Sequence, residues 1–505
     1  MDRGIGMEKK LFYAFLVIYF LVLLVNLDKS RFVWDEAQNS VSSIFLMDFL
    51  NYFMKNPTFD ISQIKNFALN YHSHYQVYLS LLIHPPLQRI LSLVGMTIFG
   101  INEFGARFFS PFFGIVGIYY TFLLAELMFN DTKKAILSAL LLALSPLYFN
   151  YSKMVLIEIY VTSLVTASLY YFFEYYKKRN SKSLLYFSAA FTLAVLTKLS
   201  AILVLPIVLG FSYLNNKKMD YRYFLPPIAV VFLWLVFSML PKLLFNIPSV
   251  ISYAYVNLLY FRLPDPLLLD SVISQFQPVL GFFVLLGIIF AVYQRIYGKK
   301  QNFENDYLLI WAAAFWLFFI IFMGNHILAF HRYALPAMPA LVILTANFIY
   351  KFLDRRLIPL LLVLFSISLY NYSAQTVLTY PFEETAMFLK DSTPQGGGVI
   401  ISDFSLQFYL MKYDRNLNIY AYIVNIPENL NQTIYGEFSD PMNKELGITT
   451  PKFYFAAIKE PSDAEVPNKF DLNYHPEMYE YLDKNFELAT TIKNQDSIIY
   501  IYKLT

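Results

Sequence analysis

Trp34-Asp35-Glu36 sets two adjacent carboxylates just beyond the first long apolar run of the chain. Such a pair can supply a general base, a metal ligand or only a solvated loop charge. Four other polar groups bear on the choice. Glu158 lies just inside an apolar stretch, where a carboxylate is costly without a partner or a task. Lys198 interrupts the run from Leu193 to Leu205, Arg107 stands at the head of another, and His331-Arg332-Tyr333 precedes a third. Each has a plainer reading: an ion pair of Glu158 with Lys153, snorkelling of Lys198, anchoring of Arg107 among headgroups, and a structural loop at His331. As a set they describe one chemistry, because cations hold phosphate and a carboxylate can take the proton of an attacking hydroxyl.

The elements that must bring these groups together follow from composition. With 57% hydrophobic, 19% aromatic and 15% charged residues over 505 positions, the chain cannot cover itself with an ordinary polar surface and reads as a polytopic α-helical membrane protein. A bilayer core of roughly 30 Å needs about 20 apolar residues in a helix, which divides the chain into about eleven transmembrane spans. They fall near 11–27, 106–129, 134–150, 157–176, 183–198, 200–214, 223–243, 278–297, 307–323, 334–351 and 357–371. The first follows Lys9-Lys10 and leads into Asp28, Lys29 and Arg31 without a small-residue cleavage site, so it is expected to be a retained anchor. Lys9-Lys10, Lys133-Lys134, Lys177-Lys178-Arg179, Lys217-Lys218, Lys299-Lys300 and Arg355-Arg356 fall at alternate connections. The positive-inside rule puts them, with the N-terminus, in the cytoplasm. Asp35, Glu158, Lys198, Arg332 and the C-terminal tail are then expected together on the outer or lumenal face.

Residues 1–372 are expected to form the membrane domain, within which 29–105 is a long amphipathic loop carrying interfacial helices. His84-Pro85-Pro86-Leu87 would open one of these, since proline at a first helical turn loses no needed donor. The run 90–99 is not read as a span, because one more crossing would invert every later basic cluster. Residues 373–505 turn polar and are expected to form a small soluble α/β domain, with strands near 399–402, 418–423, 452–458 and 497–503 and helices from Pro381 and over 476–486. Gly396-Gly397-Gly398 reads as a turn rather than a phosphate loop. The chain has no cysteine, which excludes disulfides and thiolate ligands, and no compact His-carboxylate spacing. No obligatory metal or other cofactor is expected, although a divalent metal stays open.

Cations on one face beside a carboxylate point to a lipid-linked phosphate substrate, with the cations meeting charge that grows on the leaving group and the base across the reacting carbon. The ordered motifs Trp34-Asp35-Glu36, His84-Pro85-Pro86-Leu87, Glu103-Phe104-Gly105-Ala106-Arg107, Ser145-Pro146-Leu147, Glu158, Leu196-Thr197-Lys198 and Arg332-Tyr333-Ala334-Leu335-Pro336-Ala337-Met338-Pro339 resemble those of GT-C glycosyltransferases. The branch most resembled is that of protein O-mannosyltransferases and aminoarabinose transferases, over about residues 10–372. The resemblance implies inverting transfer of a sugar, mannose or a related one, from a polyprenyl or dolichyl monophosphate to a protein, glycan or lipid acceptor. It implies Asp35 as catalytic base, Glu36 shaping the site or touching the acceptor, and Glu158 where relatives carry a second acidic residue. It makes Arg107, Lys198 and Arg332 the phosphate-side candidates, with His84, His331 and Tyr333 in support. Partners would be the lipid donor, the acceptor and the membrane, and no nucleic acid. A transporter or flippase of lipid-linked sugars would use similar spans and charges, but the candidate charges gather at one face rather than the midplane and no paired half-repeats are visible. A receptor would leave Glu158 and Lys198 without a common purpose.

Overall fold

A computed structural model describes residues 6–504 apart from 31, 33, 58–59, 76–83, 216–219, 246–267, 299–301, 324–331, 334, 376–380, 422–451, 461–475 and 495–497. His331 and the clusters Lys217-Lys218 and Lys299-Lys300 lie outside the described residues.

Helices occupy each of the eleven apolar stretches. They are α1 (Met7–Leu24), α6 (Phe109–Phe129), α7 (Thr132–Ala143) with the short α8 (Pro146–Tyr151), α9 (Ile157–Lys178), α10 (Ser181–Thr197), α11 (Val204–Leu214), α12 (Leu225–Phe245), α13 (Leu268–Tyr297), α14 (Phe303–Met323), α15 (Met338–Phe352) and α16 (Ile358–Gln375). Four stretches, Glu103–Phe129, Tyr221–Met239, Val279–Tyr297 and Leu335–Phe352, are long and apolar enough to cross a membrane by length and composition, among the described residues. The protein is therefore an integral, multi-pass membrane protein. Several other helices of the bundle are too short or interrupted to qualify alone, since Ser145-Pro146 breaks one and a 3-10 turn at Leu199–Leu203 shortens another.

Between α1 and α6 lie α2 (Trp34–Lys55), α3 (Ile61–Tyr75), α4 (Leu87–Phe99) and α5 (Glu103–Arg107). Helix α4 starts directly after His84-Pro85-Pro86, and its 13 residues rise only about 20 Å, short of a bilayer core. Helix α5 is brief, yet well capped: Asn102 Oδ1 accepts from Gly105 N–H at 2.8 Å. It crosses α4 at a point where a Cβ on Gly95 would lie 2.2 Å from the Gly105 carbonyl oxygen, so both positions need glycine for backbone approach.

Charge sorts the two ends of the bundle. Lys9 pairs with Glu126 at 2.8 Å, Lys133 with Glu8 at 3.5 Å and Lys177 with Glu304 at 2.9 Å, and Lys134 reaches Asn347 at 3.3 Å. These contacts gather the start of α1, the end of α6, the start of α7, the end of α9, the start of α14 and the end of α15. Glu158 opens α9 and Lys177-Lys178 close it, as the helix dipole favours. Twenty-two residues of helix carry the chain about 33 Å away from the basic end, and α10 returns Lys198 to the level of Glu158.

After α16 come α17 (Phe382–Ser392), β1 (Gly398–Ile401), α18 (Phe404–Tyr413), β2 (Asn418–Ala421), β3 (Phe453–Glu460), α19 (Pro476–Asn485), β4 (Glu487–Lys493) and β5 (Ile498–Lys503). The sheet order is β2-β1-β3-β5-β4, parallel on the β1 side and antiparallel from β3 onward. Strand β4 and helix α18 are additional to the elements expected from sequence. Gly396 turns at φ 76°, and Gly397 donates to the Pro394 carbonyl at 2.8 Å, which makes the glycine run a turn into β1. This domain is not a separate globule. Phe382, Phe408, Tyr409 and Leu410 share one buried cluster with Phe32, Ala37, Val41 and Ile44 of the segment around α2.

Because the α4–α5 crossing has no room for a methyl group, Gly95→Ala is expected to destabilise by about 1–3 kcal/mol. A thermal melt of the detergent-solubilised protein, followed by size-exclusion recovery, would show a midpoint several degrees lower. An unchanged midpoint would contradict the close approach.

Candidate active site at the head of the second helix

Two ion networks meet at the N-terminus of α2, where the positive end of the helix dipole favours Asp35 and Glu36. The inner network is sealed. Arg107 Nε donates to Glu36 Oε1 at 2.8 Å and Nη2 to Oε2 at 2.7 Å, while Nη1 reaches the Leu27 carbonyl at 2.9 Å and the Ser30 carbonyl at 2.7 Å. Glu36 also accepts from the Val155 amide at 2.8 Å, and Asn39 Nδ2 donates to the Val155 carbonyl at 3.2 Å. Arg107 and Glu36 are 1% and 0% exposed. Glu36, expected to shape the site or touch the acceptor, is deeply enclosed here, and Arg107, expected on the phosphate side, is engaged with Glu36 and main-chain oxygens.

The outer network is graded from buried to open. Lys198 Nζ donates to Glu158 Oε1 at 2.9 Å, with side chains 9% and 6% exposed. Arg332 Nε stands 3.9 Å from the same Glu158 oxygen, and Arg332 Nη1 pairs with Asp35 Oδ2. The Asp35 side chain is 40% exposed, so the chain of charges ends on an accessible carboxylate. Tyr333 lies beneath it: its ring centroid is 4.0 Å from Lys198 Nζ, and its hydroxyl accepts from Arg332 Nη2 at 3.2 Å. Cation–π contact and the Glu158 carboxylate together confine the Lys198 ammonium. Glu158 is thus partnered by Lys198, whereas Lys153 donates to the Val25 carbonyl at 2.9 Å. Snorkelling of Lys198 is excluded by the same geometry, since the amine turns inward.

His84 sits beside this network. Its carbonyl accepts from Arg89 Nη1 at 2.6 Å, and its imidazole is held well below the usual histidine value by burial first, then by the charges of Lys198 and Arg89. Arg89, 2% exposed, is itself lowered to about 10 by burial. Arg89 does not stand out in the sequence. Its one signal was a basic residue inside an amphipathic helix, which solvent exposure explains more often than burial. Among the described residues no three His, Asp or Glu side chains gather as metal ligands.

Residues 83–245 match the family model for dolichyl-phosphate-mannose-protein mannosyltransferases. A protein of Aquifex aeolicus (strain VF5), described as uncharacterized, is 30% identical over 277 residues, covering 52% of each chain, so this chain spans about half the length of that curated relative. Among solved structures, ArnT from Cupriavidus metallidurans bound to undecaprenyl phosphate superimposes with a TM-score of 0.66 at 14% identity, over 97% of this chain and 98% of that one. An Archaeoglobus fulgidus oligosaccharyltransferase in complex with Zn and sulfate gives 0.55 at 14% identity, over 96% and 72%. Arabinofuranosyltransferase AftD from Mycobacteria gives 0.56 at 10% identity, over 97% and 40%. The fold is the one shared by ArnT, the archaeal oligosaccharyltransferase and AftD.

Two outcomes follow from this geometry. Arg107→Ala, which strands a buried carboxylate, is expected to cost about 3–5 kcal/mol, and Arg107→Lys recovers little because an ammonium cannot reproduce the bidentate fork. Thermal melts of the purified variants check this, and a near-native Arg107→Lys would contradict it. His84 sets a pH dependence. The unfolded imidazole titrates near about 6.5 and the folded one lower, so the unfolded chain binds more protons between those values. The stability is fully present above about 6.5 and is lost as pH falls toward the folded value. Between pH 8 and pH 5 the wild type should lose more thermal stability than His84→Asn; equal losses would refute the assignment.

Proposed function

We propose that this protein is a membrane glycosyltransferase that moves a sugar from a polyprenyl monophosphate to an acceptor hydroxyl with inversion at the anomeric carbon. The observation that carries the reading is the chain Asp35, Arg332, Glu158, Lys198: one accessible carboxylate tied to two oriented cations at the end of the bundle away from the basic clusters. The match of 83–245 to mannosyltransferases and the undecaprenyl phosphate held by ArnT support the lipid-phosphate donor. The site is proposed to face the outer or lumenal side, by the positive-inside argument applied to the basic end.

In the reaction, the acceptor O–H bond breaks as its oxygen bonds the anomeric carbon, and Asp35 takes the proton. The bond from that carbon to the phosphate oxygen breaks on the opposite side, and the departing phosphate keeps the electron pair. Lys198 and Arg332 meet that growing charge, and preorganised cations in a water-poor site are worth more than in water. Arg332 is the link between the two halves. A donor phosphate that draws Arg332 toward itself releases Asp35 from its ion pair, so the base is freed only when the donor is in place. Glu158 holds Lys198 away from Asp35, and His84, kept neutral, adds no competing charge. Glu36 and Arg107 act through the position of α2.

Asp35→Asn is expected to preserve expression, insertion and the thermal midpoint while lowering sugar transfer about 100- to 10,000-fold. Assay of proteoliposomes with undecaprenyl-phosphate and dolichyl-phosphate mannose checks this. Transfer within a few-fold of wild type would remove Asp35 from the base role.

A further inference from the structure

The C-terminal domain reaches further toward the active site than a cover would need to. Phe32, 0% exposed, lies between two groups: the Arg107 guanidinium carbon is 4.8 Å from its ring centroid, and the Phe408 ring meets it edge-on at 4.6 Å. The next residue, Tyr409, is also fully buried and donates from its hydroxyl to Glu103 Oε1 at 2.7 Å. Glu103 and Arg107 are the first and last residues of α5. One helix of the C-terminal domain thus grips both the short helix that carries Arg107 and the aromatic ring on which Arg107 rests. A third contact lies farther along α2, where Arg415 Nη1 pairs with Asp48 Oδ2 at 3.1 Å and Tyr71 donates to the same oxygen at 2.9 Å.

We infer that Phe408 and Tyr409 are positioning residues for Asp35, acting through Phe32, Glu103, Arg107 and Glu36. Adjacent residues on a helix differ by about 100° in azimuth, so clamping Glu36 fixes the direction in which Asp35 leaves α2. A small rotation there swings the carboxylate away from Arg332 and from an acceptor. Displacement of a catalytic group by about 1 Å costs about 100-fold in rate. The aromatic contact does not reach the Lys198–Glu158 pair: Glu158 opens α9 and Lys198 caps α10, two helices that pack mainly on each other among the described residues. The Lys198–Glu158 part of the phosphate site is therefore held apart from this contact, and Arg332 is the group that couples it to Asp35. The inference rests on the transfer reading for its kinetic consequence and on the structure alone for its mechanical one.

Full-length protein in nanodiscs tests both arms with Phe408→Ala, Phe408→Leu and Tyr409→Phe. In the kinetic arm, with undecaprenyl-phosphate mannose as probe, Phe408→Ala should lower kcat tenfold or more, with a several-fold smaller change in KM for the donor. Phe408→Leu should recover most of the loss, and Tyr409→Phe should give a smaller kcat defect of a few-fold. In the mechanical arm, hydrogen exchange should rise over 34–55 in Phe408→Ala and stay as in wild type over 157–197. Unchanged exchange over 34–55 overturns the inference, as does a loss of protection spread equally over 157–197. Should the wild type transfer no sugar, the transfer reading fails and exchange alone decides the mechanical claim. Tyr409→Phe, which removes one hydroxyl, keeps the test valid if Phe408→Ala does not fold.

Discussion

A buried arginine ties the structure together. Arg107 neutralises Glu36 through a two-pronged contact and at the same time holds the carbonyls of Leu27 and Ser30. Through Arg107 and Glu36 together, the segment after α1, the start of α2, the short α5 and the link before α9 become one junction. The desolvation of such a pair is expensive and is recovered only with near-complete hydrogen bonding, which the Val155 amide helps to supply. The pair contributes specificity of arrangement rather than raw stability. Its consequence is geometric: the accessible Asp35 projects from a helix that cannot turn.

The second network works by the opposite principle. Lys198 and Glu158 are enclosed, Arg332 is intermediate, and Asp35 opens to solvent. Both carboxylates and both cations balance before substrate arrives, which lowers the cost of placing four charges at a membrane boundary. In the proposed reaction an incoming phosphate would change that balance, and Arg332 is the group placed to respond. The C-terminal domain belongs to the rigid half of this arrangement, since its aromatic residues complete the cluster around Phe32.

Much of this was legible in the chain because each signal was local. Apolar runs located the helices, alternate lysine pairs located the ends, and Glu158 or Lys198 stood out for the cost of charge in an apolar stretch. The set Asp35, Glu158, Lys198, Arg332 and Tyr333 was named before any geometry and lies together in space. What failed was assignment among partners. Glu36 and Asp35 are chemically near-equal neighbours, and only the fold decides which one meets Arg107; likewise sequence nearness makes Lys153 the plainer partner for Glu158, and only the fold turns Lys198 inward to it. Helix α18 mixes aromatic and polar types without a clean period, and strand β4, Glu487–Lys493, is short, mostly polar and largely exposed, so neither shows an apolar pattern in the sequence. The docking of the C-terminal domain onto α2 was beyond reach for a deeper reason: it depends on Tyr409 meeting Glu103 across 306 positions of chain.

A cryo-EM structure of the protein with undecaprenyl phosphate in a nanodisc bears most directly on the central claim, that one site holds a lipid phosphate beside a base released by that phosphate. The predicted result has the phosphate oxygens within hydrogen-bond distance of Lys198 and Arg332, the Arg332–Asp35 pair broken, and Arg107 still on Glu36. A phosphate bound elsewhere, or seated there with Arg332 still paired to Asp35, would contradict it.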